Sequence, residues 1–224
     1  MTNSPAHPLT EFWVVRHGET LWNASGQAQG HTDIELSDEG RSQARQLAVR
    51  LSGLSFSALY SSDLLRARET AEIAGSLLES APLPVLLEPR LREIDVGYFA
   101  GKNWREIHAS FPEYYESLKS DPWGTKRPGG ESMADLYARV QGALLELSGR
   151  HPGEKVLIFT HGGVVRVAVS LALGGGLQDV WARLSIENTS ITRMLYGEGG
   201  GKLLSYNDVA HLERSKTTED DSVE

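Results

Sequence analysis

The chain has 224 residues, 40% hydrophobic and 23% charged, which suits one sizeable soluble domain with room for an insert. Its formal charge of -8 speaks against a broad basic surface for nucleic acid. The absence of cysteine excludes disulfides, thiolate catalysis and cysteine-ligated metals, and no apolar run approaches the roughly 20 residues of a membrane helix. Residues 1–10 show no basic region followed by an apolar core, so they are expected to be a disordered tail rather than a signal peptide. Residues 215–224, polar and acidic, are expected to be a second tail, which leaves one domain over 11–214. A cytoplasmic location fits the cysteine-free composition.

The first predicted element is a strand over 12–16, Phe-Trp-Val-Val-Arg, and it ends on Arg16, His17 and Gly18. A helix follows, with Ser37 as N-cap, Asp38 and Glu39 in its first turn, and Ala44, Leu47, Ala48 and Leu51 on one face; Gly53 stops it. A second strand covers 56–62. The helix after it carries Leu65, Ala67, Ala71, Ile73, Ala74 and Leu77 on its apolar side. A third strand is expected over 85–88 and a fourth over 155–161, with a long helix before the fourth and another after His161. Strands alternating with helices predict an α/β fold, a three-layer sandwich on a mostly parallel sheet. The stretch from Glu187 to Asp208 predicts two antiparallel strands around a glycine-rich turn at the sheet edge. That apolar edge strand near 190–196 leaves a homodimer open. Residues 97–130, rich in aromatics, Gly and Pro, break the rhythm and predict a small insert over the active site, with short helices near 103–110 and 112–119.

In an open α/β sheet, ligands bind at the carboxyl ends of the strands. Arg16 and His17 end the first strand, Arg66 and Arg68 open the helix after the second, Glu93 follows the third, and His161 ends the fourth. Two histidines, at least two arginines and a carboxylate thus meet at one rim. That set suits a phosphate ester, whose oxygens match the planar fork of arginine. The helix after Gly162 and Gly163 turns its N-terminal amides to the same rim. A histidine with a free ring nitrogen can attack phosphorus, and a carboxyl group of raised pKa can protonate the leaving oxygen and then activate water. Burial and a neighbouring dianion both raise such a pKa. The sequence signals no metal and no cofactor: it has no His-Glu-x-x-His, no Gly-rich lysine loop and no calcium loop.

The run VVRHGETLWN, then QGHTDIELSDEGRSQA, SSDLLRARETA, LREIDVGYFAGK, GGES and FTHGG, resembles the histidine phosphatase superfamily, in its phosphoglycerate mutase-like branch, over about residues 12–206. The resemblance implies that His17 becomes phosphorylated, Arg16 and Arg66 clamp the phosphate, His161 completes the pocket and Glu93 is the proton donor and then the base. Asn23 would be a neutral phosphate ligand, with turn capping as its plainer role. Gln29 and Gly30 would lie on the substrate-facing loop, and the amide of Gly162 would touch a phosphate oxygen.

Spacing from the strand and the Leu-Arg-Ala context favour Arg66 over Arg68, whose natural partner is Glu72 at i,i+4. Glu93 competes with Asp95 and Glu88, and the Leu-Arg-Glu-Ile pattern favours it. His31, His108, His151 and His211 lack a matching context and read as surface or packing residues. Trp22, Tyr98, Phe99, Trp104 and Trp123 are core or pocket wall. The insert after Glu93 is shorter than in the bisphosphoglycerate-dependent mutases and lacks their Leu-Asn-Lys run. The reading is therefore a metal-independent phosphomonoesterase that acts on a small-molecule phosphate ester. The alternatives are a 2,3-bisphosphoglycerate-dependent mutase and a non-catalytic module that binds a phospho-ligand.

Overall fold

The structure is a computed structural model, and it describes residues 8–79, 83–174, 181 and 183–212. The expected tails fall outside the described residues except at 8–10. There β1 (Thr10–Arg16) already begins. Thr10 is fully buried because its hydroxyl bonds the carbonyl oxygens of Ser148 and His151 at 3.2 and 2.6 Å, so the ordered chain starts before residue 11.

In chain order β1 is followed by α1 (Leu21–Ala24), α2 (Asp38–Leu51), β2 (Ala58–Ser61), α3 (Leu65–Gly75) and β3 (Val85–Leu87). A 3₁₀ turn over Pro89–Leu91 leads to Glu93, and a second over Gly97–Phe99, with α4 (Trp104–Ser110) and α5 (Pro112–Ser120), forms the insert. Then come α6 (Met133–Arg150), β4 (Lys155–Thr160), α7 (Gly162–Ala172), β5 (Ile191–Gly197) and β6 (Gly200–Asp208). Ser37 caps α2 through the amide of Gly40, as its position before an acidic first turn predicts. The α3 helix ends at Gly75, short of Leu77, which is half exposed; Leu78 turns inward in its place.

Among the described residues, six strands run in the order β3-β2-β4-β1-β5-β6. β1, β2, β3 and β4 are parallel, and β5 and β6 are an antiparallel hairpin beside β1. The strand near 190–196 is thus not the edge: the glycine-rich turn folds β6 back over it, and β6 takes the edge. Alternation along β1 shows why three layers form. Phe12 and Val14 face the cluster with Leu136, Val140 and Leu144 of α6 and Val164 and Val167 of α7. Trp13 and Val15 face the opposite cluster, with Leu47 and Leu51 of α2 and Ala71 and Ala74 of α3. A strand buried on both sides reads as a continuous apolar run, as Phe12 to Val15 do. β1 leads to α2 on one face and β4 to α7 on the other, so a crevice opens between their carboxyl ends.

Candidate active site

Sheet register sets the centre of the site. Arg16 pairs with Thr160 across β1 and β4, and Ser61 pairs with Phe159 across β2 and β4. The amide of His17 continues the ladder to Thr160 O at 2.9 Å, and that of Ser62 continues it to Phe159 O at 2.9 Å. His17, Ser62 and His161 therefore leave three neighbouring strands at one level. The rings of His17 and His161 lie 5.2 Å apart between centroids. Beyond them the chain must turn sharply. A Cβ on Gly18 would sit 2.6 Å from Gly40 O, so only glycine lets the loop reach the start of α2. From the other side Asn188 Nδ2 donates to His17 O at 2.9 Å, and the amide of Thr189 donates to Arg16 O at 3.0 Å.

His17 Nδ1 lies 2.7 Å from its neighbour's carbonyl, Gly18 O. A carbonyl can only accept, so Nδ1 carries the hydrogen and Nε2 keeps its lone pair. Burial, with the guanidinium charges of Arg66 and Arg16 next, holds the His17 pKa well below its usual value, and the ring stays neutral. His161, fully buried, is held low by burial and by Arg66. Its Nε2 meets Ser62 Oγ at 2.8 Å.

Two arginines converge on this pair. Arg66 is 1% exposed; its Nη1 donates to Thr32 O at 2.9 Å and its Nη2 to Gly30 O at 2.8 Å. Gly30 reaches that position with φ 51°, the left-handed region that favours glycine. Arg16 Nη1 donates to Ile186 O. Burial lowers the pKa of both guanidinium groups, that of Arg66 to about 10. Among the described residues, Arg16 Nε, Arg66 Nε and His161 Nδ1 are buried without a hydrogen-bond partner. Buried polar atoms left unpaired are costly, and the two guanidinium Nε–H donors beside the histidine pair make a socket for an oxyanion.

Glu93 faces the same cavity, of about 250 Å³. Its Oε1 accepts from the amide of Ile94 at 2.8 Å and its Oε2 from the amide of Gly163 at 3.1 Å. Its two competitors are engaged elsewhere: Glu88 holds Arg90, and Asp95 accepts from the amide of Gly97. Arg68 pairs with Glu72 at 3.8 Å, as its spacing implies. Asn23 lines the cavity while its Oδ1 accepts from the amide of Thr20, so the capping role and the site position coexist. Gln29 and Gly30 also line it. Gly162 begins α7, and a Cβ there would lie 3.3 Å from Arg166 Nη1 and 3.8 Å from Arg16 Nε.

Several residues enter the site without a sequence signal. Ser62 orients His161. Arg139 pairs with Glu131 and donates to the carbonyl oxygens of Arg90, Arg92 and Glu93 at 2.9, 2.7 and 2.8 Å. His31 is not a plain surface residue, since its Nε2 lies 2.8 Å from Glu93 O. Arg127 and Arg166 line the cavity beside Phe99 and Trp104 of the insert. Tyr98 stays exposed, and Trp123 packs on Tyr137. Among the described residues, no three His, Cys, Asp or Glu side chains converge as a metal-ligand set, and no helix is long and apolar enough to cross a membrane.

The sequence pattern of the histidine phosphatase superfamily (branch 1) matches residues 12–209. The chain is 39% identical over 208 residues to phosphoglycerate mutase-like protein 4 of Arabidopsis thaliana, covering 92% of this chain and 88% of that one. It is 35% identical over 205 residues to phosphoserine phosphatase 1 of Hydrogenobacter thermophilus, covering 91% and 95%. Among solved structures, YhfR of Bacillus stearothermophilus superposes with a TM-score of 0.82 at 33% identity, covering 91% of this chain and all of that one. A phosphoserine phosphatase mutant from Entamoeba histolytica, in complex with phosphoserine, superposes at 0.79 with 30% identity, covering 91% and 100%. On this evidence, with the two histidines and two arginines set at the strand ends, the chain belongs to the histidine phosphatase superfamily, branch 1.

Proposed function

We propose that the protein is a phosphomonoesterase that works without a metal ion, through a phospho-histidine on His17, on small phosphorylated metabolites of the cytoplasm. One observation carries this reading: His17 keeps an unprotonated Nε2 beside a cavity lined by Arg16 and Arg66, whose buried Nε donors lack an acceptor. The ester's phosphate takes the place of that acceptor, bridging Arg16, Arg66 and His161. The Nε2 lone pair forms the bond to phosphorus as the bond from phosphorus to the ester oxygen breaks. That oxygen leaves as the alcohol with the proton of Glu93. Water then attacks the phospho-histidine and gives its proton to Glu93, and inorganic phosphate departs with His17 restored. The charge in both steps spreads over phosphate oxygens already held by guanidinium groups, so fixed electrostatics supply most of the acceleration.

The phosphoserine phosphatases among the relatives support hydrolysis; the mutase-like names support transfer to a second phosphoglycerate. Incubation with EDTA and p-nitrophenyl phosphate, and separately with 3-phosphoglycerate plus 2,3-bisphosphoglycerate, divides them. Inorganic phosphate release in EDTA is the expected result. Conversion to 2-phosphoglycerate without phosphate release would make the protein a mutase, and ester binding with no transfer at all would make it a binding module.

A further inference from the structure

A second cleft of about 260 Å³ adjoins the catalytic cavity and is walled by Trp22 and Trp104, with Lys102 at its rim. The two share Asn23, Gln27, Ala28, Trp104 and Ile107, so the trough lies directly beside the catalytic cavity. Ile107 is buried below it, while the Trp104 indole is 70% exposed. A large aromatic left in water at the lip of a reaction cavity has surface to offer a ligand.

The walls are rigid. Ala28 N donates to Lys102 O at 3.0 Å and Gly101 N returns to Ala28 O at 2.9 Å. Gln27 Nε2 donates to Gly101 O at 2.7 Å, and Gln27 pairs with Asn103 as an isolated bridge. Asn103 caps α4 in a reciprocal box with Glu106, which fixes Trp104 as the first residue of the helix. On the far wall a Cβ on Gly101 would stand 3.4 Å from the Trp22 ring. These bonds tie the backbone of both walls together.

We propose that this trough is the leaving-group subsite, and that it takes a planar aromatic or heteroaromatic ring carried by the alcohol of the phosphate ester. The assignment rests on the phosphatase reading of the adjoining cavity. With the phosphate on Arg16 and Arg66, the alcohol has to extend away from His17, and the trough adjoins the catalytic cavity along five shared lining residues. Two indoles suit a flat ring better than a branched aliphatic chain, because offset and edge contacts add to the area they bury. Lys102, which lines the cleft, favours rings with acceptor or negative substituents over basic ones.

Benzylphosphonate and methylphosphonate, which cannot turn over, test this by calorimetry on the full chain. Benzylphosphonate should bind roughly 5- to 10-fold more tightly, the range expected for one ring against an indole. That preference should shrink toward one in Trp104→Ala and return in Trp104→Phe. Equal affinity for the two phosphonates, or a preference unchanged in Trp104→Ala, would overturn the subsite and leave the phosphatase reading standing. Failure of both to bind would overturn the subsite and the phosphate socket together.

Discussion

The Nδ1 atom of His17 is bound to the carbonyl oxygen of Gly18 at 2.7 Å, and this one contact sets the chemistry of the ring. It locks the hydrogen on the inner nitrogen and frees the outer one. His17→Ala should lower turnover of p-nitrophenyl phosphate by about 10³-fold or more, the scale of a lost nucleophile. Wild-type protein quenched in alkali after exposure to a ³²P-labelled ester should carry acid-labile label on the peptide that contains residue 17. Label on any other peptide, or near-normal activity in the variant, would remove the nucleophile.

Gly163 and Gly162 sit side by side yet should respond differently to a methyl group. A Cβ on Gly163 would stand 2.2 Å from Glu93 Oε1 and 3.2 Å from its carboxyl carbon. Gly163→Ala must therefore displace the carboxylate and break its bond from the Gly163 amide. Esters with poor leaving groups should lose roughly 10²-fold in kcat, as for a lost general acid, and activated aryl esters far less. In Gly162→Ala the new atom meets Arg166 Nη1 at 3.3 Å, the flexible end of a long side chain, and the effect should be several-fold smaller. Equal losses in the two variants on both ester types would detach Glu93 from the acid role.

The strand-end residues of this site were legible because the sequence places them locally. Arg16, His17 and His161 stand at the ends of predicted strands, Arg66 opens the helix after one, Glu93 follows the third within a short loop, and the α/β pattern sends those ends to one rim. Ser62 was not legible, although it stands next to a strand end. Its value comes from the pairing of β2 with β4, a contact between segments 99 positions apart that no local period encodes. Arg139 carries no local signal on its long helix, and His31 reads as a surface ring; the fold of the Glu93 loop onto both gives them their roles. The edge assignment near 190–196 failed for a similar reason: a hairpin's sequence gives its two strands but not which of them lies against the rest of the sheet.

Arg139 is a positioning residue for the proton donor. Its guanidinium holds three carbonyl groups of the loop, from Arg90, Arg92 and Glu93, and is itself held by Glu131, whose pKa its bonds and charge keep low against the opposing effect of burial. Arg139→Met should cost about 2 kcal/mol of stability, since it strands a half-buried carboxylate, and Tm should fall by roughly 4–8 °C. A purely structural role would change kcat equally for all esters. Positioning predicts instead that the loss is several times greater for alkyl than for activated aryl esters, the pattern expected of Glu93→Gln. A uniform loss would confine Arg139 to stability.

Acid should destabilise the protein in a window set by its histidines. His17 and His161 are held well below their usual pKa, and His211, partly buried against Thr189 Oγ1 at 3.0 Å, is lowered to about 4, chiefly by burial. An unfolded chain protonates these rings as pH drops through about 6.5, while the folded chain keeps them neutral. The folded state thus binds fewer protons, and stability falls with pH by at most about 1.4 kcal/mol per pH unit for each ring. For His211 the loss ends near pH 4, where the folded ring also charges. Carboxylates held low, such as Glu131 and Asp135, lose their contribution only below about pH 4.5, so unfolding titrations at pH 7.5, 6.0 and 5.0 isolate the histidines. His211→Gln should reduce the slope by up to one proton's share and leave the remainder to the catalytic pair. For the same reason, kcat/KM should hold its value below pH 6.5, because His17 is still an unprotonated nucleophile there. Stability that is flat from pH 7.5 to 5.0, or an acid limb centred at or above pH 6.5 that moves in Arg66→Met, would show that His17 is not held neutral by its surroundings.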